Sequence, residues 1–248
     1  MIGGHFKKLK SHMVSDIIQR GGTMLKSARS EEFRKQEGRQ KAYDMIKDEG
    51  IDGIVVIGGD GTFKGARMFS LEHDVPVVGI PGTIDNDLYG TDYTIGYDTA
   101  LNTIVEAVDK IRDTASSHNR LFFIEVMGKD AGFLALRSGI ACGAEAILIP
   151  EISRDTATLR EHLEADYKRR KLSNIILVAE GDETGGAFNI AEQVKDEFEG
   201  YDIRVTVLGH IQRGGSPSAF DRVIGRQVGV AAVEALMDDQ KSIMVGRM

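Results

Sequence analysis

The sequence predicts an α/β protein of two three-layer domains with largely parallel sheets, and two observations carry that expectation. From Ile51 onward, short apolar runs alternate with helical stretches, the order that builds parallel sheets covered on both faces. Two of those runs end in glycine-rich, acid-bearing turns: Ile54-Val55-Val56-Ile57 leads into Gly58-Gly59-Asp60-Gly61-Thr62, and Val75 to Ile80 leads into Pro81-Gly82-Thr83-Ile84-Asp85-Asn86-Asp87. Such turns at the carboxyl edge of a parallel sheet suit phosphates and their cations.

Taken in order, Met1 to Lys10 offers no buried strand, and a first helical segment is expected near Val14 to Gln19, broken by Arg20-Gly21-Gly22-Thr23. A long polar helix follows from about Ser30 to Asp48, closed by Gly50. The first strand is expected at Ile51 to Gly58, then a short helix after Thr62, a strand at Val75 to Ile80 and a helix from about Thr99 to Thr114. In that helix Leu101, Ile104, Val105, Val108 and Ile111 recur at three- and four-residue spacing, which marks one buried stripe. Further strands are expected at Leu121 to Met127, Ala146 to Ile149, Asn174 to Ala179 and Ile203 to Leu208. The helices between them are expected near Ala131 to Ile140, Thr156 to Lys171 and Asn189 to Glu199, with a last one from about Asp221 to Met237. The domain change is placed near Gly96 and the return near Gly209, so that 1–96 with 209–248 form one domain and 97–208 the other.

Composition narrows the function classes. With 248 residues and 42% hydrophobic content the chain can bury sizeable cores, and its net charge of -7 argues against nucleic acid as the main partner. No apolar run approaches a membrane span, and no signal-peptide pattern opens the chain. The single Cys142 excludes an intramolecular disulfide and fits a reducing cytoplasm.

The candidate chemistry lies at the strand ends. In extended backbone, residues two apart project to one side, so Asp85 and Asp87 are expected to face one site and either share a cation or divide the work between base and metal ligand. Asp60 sits among amides that glycine leaves open to phosphate oxygens, and could hold the magnesium bridging them. Three basic groups accompany these turns: Ser116-Ser117-His118-Asn119-Arg120, Met127-Gly128-Lys129-Asp130-Ala131-Gly132, and Gly209-His210-Ile211-Gln212-Arg213-Gly214-Gly215-Ser216-Pro217. Any one of them reads as a solvated loop; together at strand ends, they offer what a phosphorylated substrate needs.

At this point the sequence resembles the ATP-dependent 6-phosphofructokinases of the bacterial type. The segments V-S-D-I-I-Q-R-G-G-T, V-V-I-G-G-D-G-T, P-G-T-I-D-N-D, G-T-D-Y-T-I-G, R-D-T-A-S-S-H-N-R, V-M-G-K-D-A-G and V-L-G-H-I-Q-R-G-G-S-P occur in the family order and span nearly the whole chain. NAD kinases and lipid kinases share G-G-D-G-T and G-T-x-x-N-D, which leaves them as a second reading; H-I-Q-R-G-G-S-P and the M-G-K turn favour phosphofructokinase. The resemblance implies a cytoplasmic, allosteric, homotetrameric enzyme of glycolysis that uses ATP and Mg2+ to phosphorylate fructose 6-phosphate. Residue by residue, it implies Asp85 as the base that takes the sugar hydroxyl proton, Thr83 beside the transferred phosphoryl group, and Asp60 and Asp87 on the metal. It implies nucleotide contacts at Arg29, Ser30, Gly59, Asp60, Gly61 and Thr62. Sugar-phosphate contacts are implied at Thr83, Ile84, Asp85, Met127, Gly128, Lys129, Glu180, His210, Ile211, Gln212 and Arg213, with Arg120 and Arg204 reaching the substrate of a neighbouring subunit. Gly61 and Gly82 suggest ATP as donor, since pyrophosphate-dependent relatives usually carry Asp and Lys there.

Three departures from the family pattern are visible. No opening strand with its G-G-D-x-x-G loop precedes Met1, the usual C-terminal segment does not follow Met248, and Lys129, at a position the resemblance makes catalytic by stabilising the transition state, stands where the family usually has Arg. The chain therefore reads as truncated, and a remnant that binds sugar phosphate or partner subunits without catalysis is a further alternative. Effector contacts are implied at Arg112, Glu145, Arg169 and Lys171, while Ser11 stands where an effector Arg is expected; Arg169 and Lys171 also read as a solvated helix end.

Overall fold

The structure, a computed structural model, describes residues 1–115, 120–152, 173–181, 185–195 and 202–248. It divides into two compact units, Met1–Thr83 with Leu88–Ile95 and Ala219–Met248, and Ile84–Asp87 with Gly96–Ser218. The helix expected near Thr156 to Lys171 lies outside the described residues. Among the described residues no helix is long and apolar enough to cross a membrane.

In the first unit, β1 (Ile54–Gly58), β2 (Val77–Pro81) and β7 (Ile243–Met244) form a parallel sheet in the order β1-β2-β7. Its helices are α1 (Glu31–Arg34), α2 (Gln36–Asp48), α3 (Asp60–His73) and α7 (Ala219–Met237). Strand alternation sorts them onto both faces. Val77 joins Ala42 and Ile46 of α2 and Phe69 of α3 in one core, whereas Val78 and Ile80 join Ile224, Val228 and Ala232 of α7 in another.

Three expectations are corrected here. Residues 14–19 form no helix, and before α1 there is only a 3-10 turn at Ser11–Met13. Six residues rich in β-branched side chains cannot repay helix nucleation, and Asp16 takes a left-handed φ of 56°. The long polar helix is two helices, because Lys35 is extended between them (φ -90°, ψ 147°). The helix after β1 is not short: α3 runs for 14 residues.

The α1–α2 break is held by Arg39, which is 4% exposed. Its Nη1 donates to the Phe33 and Arg34 carbonyls at 3.0 and 2.7 Å, while Nε and Nη2 grip the Glu72 carboxylate of α3 at 2.7 and 2.6 Å. Charge-assisted bidentate bonds to an otherwise buried cation are costly to break. Arg39→Met is expected to destabilise the chain by about 2–3 kcal/mol. The bond to Arg39 also holds the Glu72 carboxyl below the usual carboxylate range. A lowered folded pKa means that this contribution is fully present above the ordinary carboxylate pKa and is lost as pH falls through the lower folded value. Thermal melts against pH should therefore show wild type and Arg39→Met converging only in acid; a gap unchanged down to that range would remove the ion pair from the account.

In the second unit, β3 (Arg120–Val126), β4 (Ala146–Leu148), β5 (Ser173–Ala179) and β6 (Asp202–Val207) form a wholly parallel sheet in the order β4-β5-β3-β6. With β5 on one side and β6 on the other, β3 is apolar on both faces. Leu121 and Phe123 pack with Ala187, Ile190 and Val194 of α6 (Gly186–Val194), and on the opposite face lie α4 (Tyr97–Ala115) and α5 (Phe133–Cys142). Within the α4 stripe, Ile104 and Val108 are fully buried.

The chain returns to the first unit at Ala219, not near Gly209. The 3-10 turn Gly209–Arg213 stays with the second unit because buried Gln212 accepts the Met127 N–H at 3.1 Å and Leu208 N–H donates to the Glu125 carbonyl at 3.0 Å. Five residues further on, Ser218 N–H donates to Thr99 Oγ1 of α4 at 3.0 Å.

Candidate functional site

The first unit holds the nucleotide-contact candidates. β1 passes into α3 through Gly59 alone, so the expected glycine-rich turn is in fact the first turn of a helix, with Asp60, Gly61 and Thr62 in it. The Gly59 carbonyl accepts from Thr62 and Phe63 N–H at 3.0 and 3.1 Å. Asp60 carries its charge at the positive end of the α3 dipole and pairs with Lys64 one turn on at 2.6 Å. Space around the glycines differs. A Cβ on Gly58 would overlap the Thr62 side chain, whereas one on Gly61 would meet nothing within 4 Å, so Gly61 leaves open surface at a helix N-terminus. Arg29 is exposed, and Ser30 caps α1 by accepting the Phe33 N–H at 3.1 Å. Thr83 is half-buried, and its carbonyl accepts from Thr94 Oγ1.

The second unit holds the acids and cations. Asn86 takes a left-handed φ of 53°, so Asp85 to Asp87 is a turn and not extended backbone. The same-side geometry expected for the two aspartates therefore lacks its premise; Asp85 is half-buried and Asp87 exposed. Lys129 nevertheless relates to both. Its ammonium pKa is raised first by its contact with Asp130, 3.4 Å away, and further by the charges of Asp87 and Asp85.

The backbone around Lys129 is tightly specified. Gly128 and Lys129 have φ of 146° and 56°, and the Lys129 N–H donates to Glu180 Oε1 at 2.8 Å. Beside it, a Cβ on Gly181 would overlap the Lys129 carbonyl oxygen. Glu180, implied as a sugar contact, thus braces the turn that carries Lys129. Gln212, implied likewise, spends both ends of its amide on backbone, accepting from Met127 and donating to the Gly209 carbonyl at 3.0 Å. With Gln212 1% exposed, its place is beneath the turn that presents exposed His210, Ile211 and Arg213. Buried Met127 ends just after β3, and Ile84 lies against Gly96.

Arg120 and Arg204 start neighbouring strands and converge on one carboxylate. Asp202 Oδ2 is 3.3 Å from Arg120 Nε, 3.2 Å from Arg204 Nε and 2.9 Å from Arg204 Nη2. Asp202 was not among the expected site residues; its position two before Arg204 in a strand was the available signal. Of the effector candidates, Arg112 donates to the Cys142 carbonyl at 2.6 Å and so caps α5, while Glu145 accepts the Ile175 N–H of β5. Arg169 and Lys171 lie outside the described residues. Among the described residues no three His, Cys, Asp or Glu side chains gather as a metal site.

Comparison with known proteins places this arrangement in a lineage. The family model for phosphofructokinase matches residues 1–236. The chain is 60% identical over 246 residues to ATP-dependent 6-phosphofructokinase 2 of Bacteroides thetaiotaomicron, covering 99% of this chain and 76% of that protein. It is 56% identical over 248 residues to ATP-dependent 6-phosphofructokinase 1 of Thermus thermophilus, covering 100% of this chain and 77% of the other. The solved phosphofructokinase of Saccharomyces cerevisiae superposes with a TM-score of 0.87 at 40% identity, over 94% of this chain and 35% of the yeast chain. The glycine-rich turns, the two parallel sheets and a match running through nearly every residue agree: the chain belongs to the phosphofructokinase family.

Proposed function

We propose that the chain transfers the γ-phosphoryl group of ATP to the 1-hydroxyl of fructose 6-phosphate, giving fructose 1,6-bisphosphate and ADP, a step of glycolysis in the cytoplasm. The observation that carries this reading is that the second unit holds a half-buried carboxylate, Asp85, whose charge acts on a cation on a braced turn, Lys129, in a chain so similar to enzymes named for that reaction. Asp85 accepts the proton of the 1-hydroxyl as its oxygen bonds to the γ-phosphorus and the bond to the β-phosphate oxygen breaks. Lys129 offers positive charge to the equatorial oxygens, and alignment supplies most of the rate.

On this reading the first unit receives the nucleotide at the N-terminus of α3, where the open face of Gly61 suits a bulky donor. By the resemblance, Asp60 in the first unit and Asp87 in the second are each offered to Mg2+. Each fits as a single carboxylate, since that ion takes one or two carboxylates and completes its shell with water and substrate phosphates. When bound, Mg2+ neutralises charge on the β- and γ-phosphates. Arg120 and Arg204 would serve the sugar phosphate of a neighbouring copy, so the active form is an oligomer, a homotetramer by resemblance to the family.

A coupled assay with fructose 6-phosphate and Mg2+, run in parallel with ATP and with pyrophosphate, tests the reading. Saturable ATP-dependent formation of fructose 1,6-bisphosphate supports it. Turnover with pyrophosphate alone would change the donor, and silence with both would leave a sugar-phosphate-binding protein without transfer. A molecular mass of four chains by light scattering tests the assembly.

A further inference from the structure

The arginine pair at the start of β3 and β6 comes with an acid that a phosphate-binding site does not need. The parallel register sets Arg120 opposite Asp202 and Phe122 opposite Arg204, so Asp202 stands between the two guanidinium groups. One oxygen, Oδ2, takes the whole load, with both Arg204 donors bonded to it and Arg120 Nε at 3.3 Å. Arg120 Nε is buried and forms no aligned hydrogen bond, and among the described residues its Nη1 reaches the Thr114 carbonyl at 3.5 Å. Among the described residues the pair is therefore incompletely satisfied: two cations share one carboxylate oxygen, and Arg120 Nε has no aligned acceptor.

We propose that Asp202 is a specificity-determining residue of this site, an internal counter-ion whose charge a phosphate monoester must overcome to bind Arg120 and Arg204. The inference rests on the reading that the pair receives the sugar phosphate. In the unliganded chain Asp202 cancels one of the two positive charges and holds Arg204 in place. An arriving dianion supplies an aligned acceptor for Arg120 Nε and competes for the Arg204 donors, while the carboxylate repels it at close range. Asp202 thus weakens phosphate binding and discriminates against small, weakly held anions, which bring too little additional contact to offset that repulsion. It acts on affinity and leaves the transfer step alone.

Asp202→Asn removes the charge and keeps an acceptor oxygen for the arginines. The expected result is a fall of about five- to tenfold in the KM for fructose 6-phosphate with kcat within twofold, and tighter binding of inorganic phosphate by calorimetry. Both effects should shrink at high ionic strength. Asp202→Glu, which restores the charge, should return both constants towards wild type. An unchanged or raised KM in a folded Asp202→Asn protein overturns the proposal, because a residue that merely positions the arginines would give that result. Arg204→Gln separates the two levels. If it raises the KM while Asp202→Asn does not lower it, the counter-ion role alone fails; if it leaves both fructose 6-phosphate and phosphate binding unchanged, the pair is not a phosphate site and both fall.

Discussion

Asp85→Asn lowers kcat about 10³-fold while the KM for each substrate stays within a few-fold, the expected signature of a lost general base. Asn matches Asp in size and keeps a carbonyl oxygen in the turn, so neither the left-handed Asn86 nor the neighbouring Ile84 contact with Gly96 has reason to move. What disappears is the capacity to take a full proton from the sugar hydroxyl as phosphorus is attacked. Lys129 loses one of the charges that favour its protonated form but keeps the largest, Asp130, and so remains a cation at neutral pH. Alignment and cationic stabilisation persist, and for that reason residual activity above the uncatalysed rate is expected. The coupled assay with both substrates saturating measures kcat directly, and a melting curve beside it checks the fold. A loss below tenfold would remove Asp85 from the proton transfer and return attention to Asp87 on the same turn.

The parallel architecture was legible because the central strands of the second unit bury both faces. Leu121 to Ile124 and Ile175 to Ala179 read as unbroken apolar runs, which an exposed or antiparallel strand would not show. The failures have local causes. A glycine pair before Asp60 looks like a flexible loop until the fold is known, yet helix α3 begins there because the Gly59 carbonyl takes two amides and Asp60 complements the dipole. β7 was missed since two residues, Ile243 and Met244, leave no periodicity to read. The site divides along the same line. Residue types at Asp85, Lys129 and Asp60 by themselves suggest phosphate chemistry, whereas the left-handed Asn86 invalidates the alternation used to relate Asp85 to Asp87. Asp202 meets Arg120 on another strand, and Gly181 meets the Lys129 turn that follows β3, both at distances in sequence that no local pattern spans.

Gly181→Ala follows from one of those long-range contacts and is expected to lower kcat/KM about 10²-fold without unfolding the chain. An added Cβ would overlap the carbonyl oxygen of Lys129 and come within 3.1 Å of Asp130 Cα. Both obstacles are backbone, so no side-chain rotation relieves them. The turn itself has little freedom: Gly128 at φ 146° and Lys129 at φ 56° already occupy the right-hand side of the Ramachandran map, and Glu180 Oε1 fixes the Lys129 N–H at 2.8 Å. Strand β5 is the more rigid partner, with Leu177, Val178 and Ala179 fully buried, so the turn must yield. A shift of about 1 Å displaces the Lys129 ammonium relative to the charges of Asp85 and Asp87, and misplacement of that size costs about 10²-fold when alignment supplies most of the rate. Stability should fall by only about 1–3 kcal/mol, the usual range for overpacking. Glu180→Gln tests the same brace from the other side; its carbonyl still accepts the Lys129 N–H, and the expected loss is under tenfold. If Gly181→Ala proves folded and retains kcat/KM within threefold of wild type, the position of Lys129 does not govern the rate, and its role would reduce to binding charge at a distance.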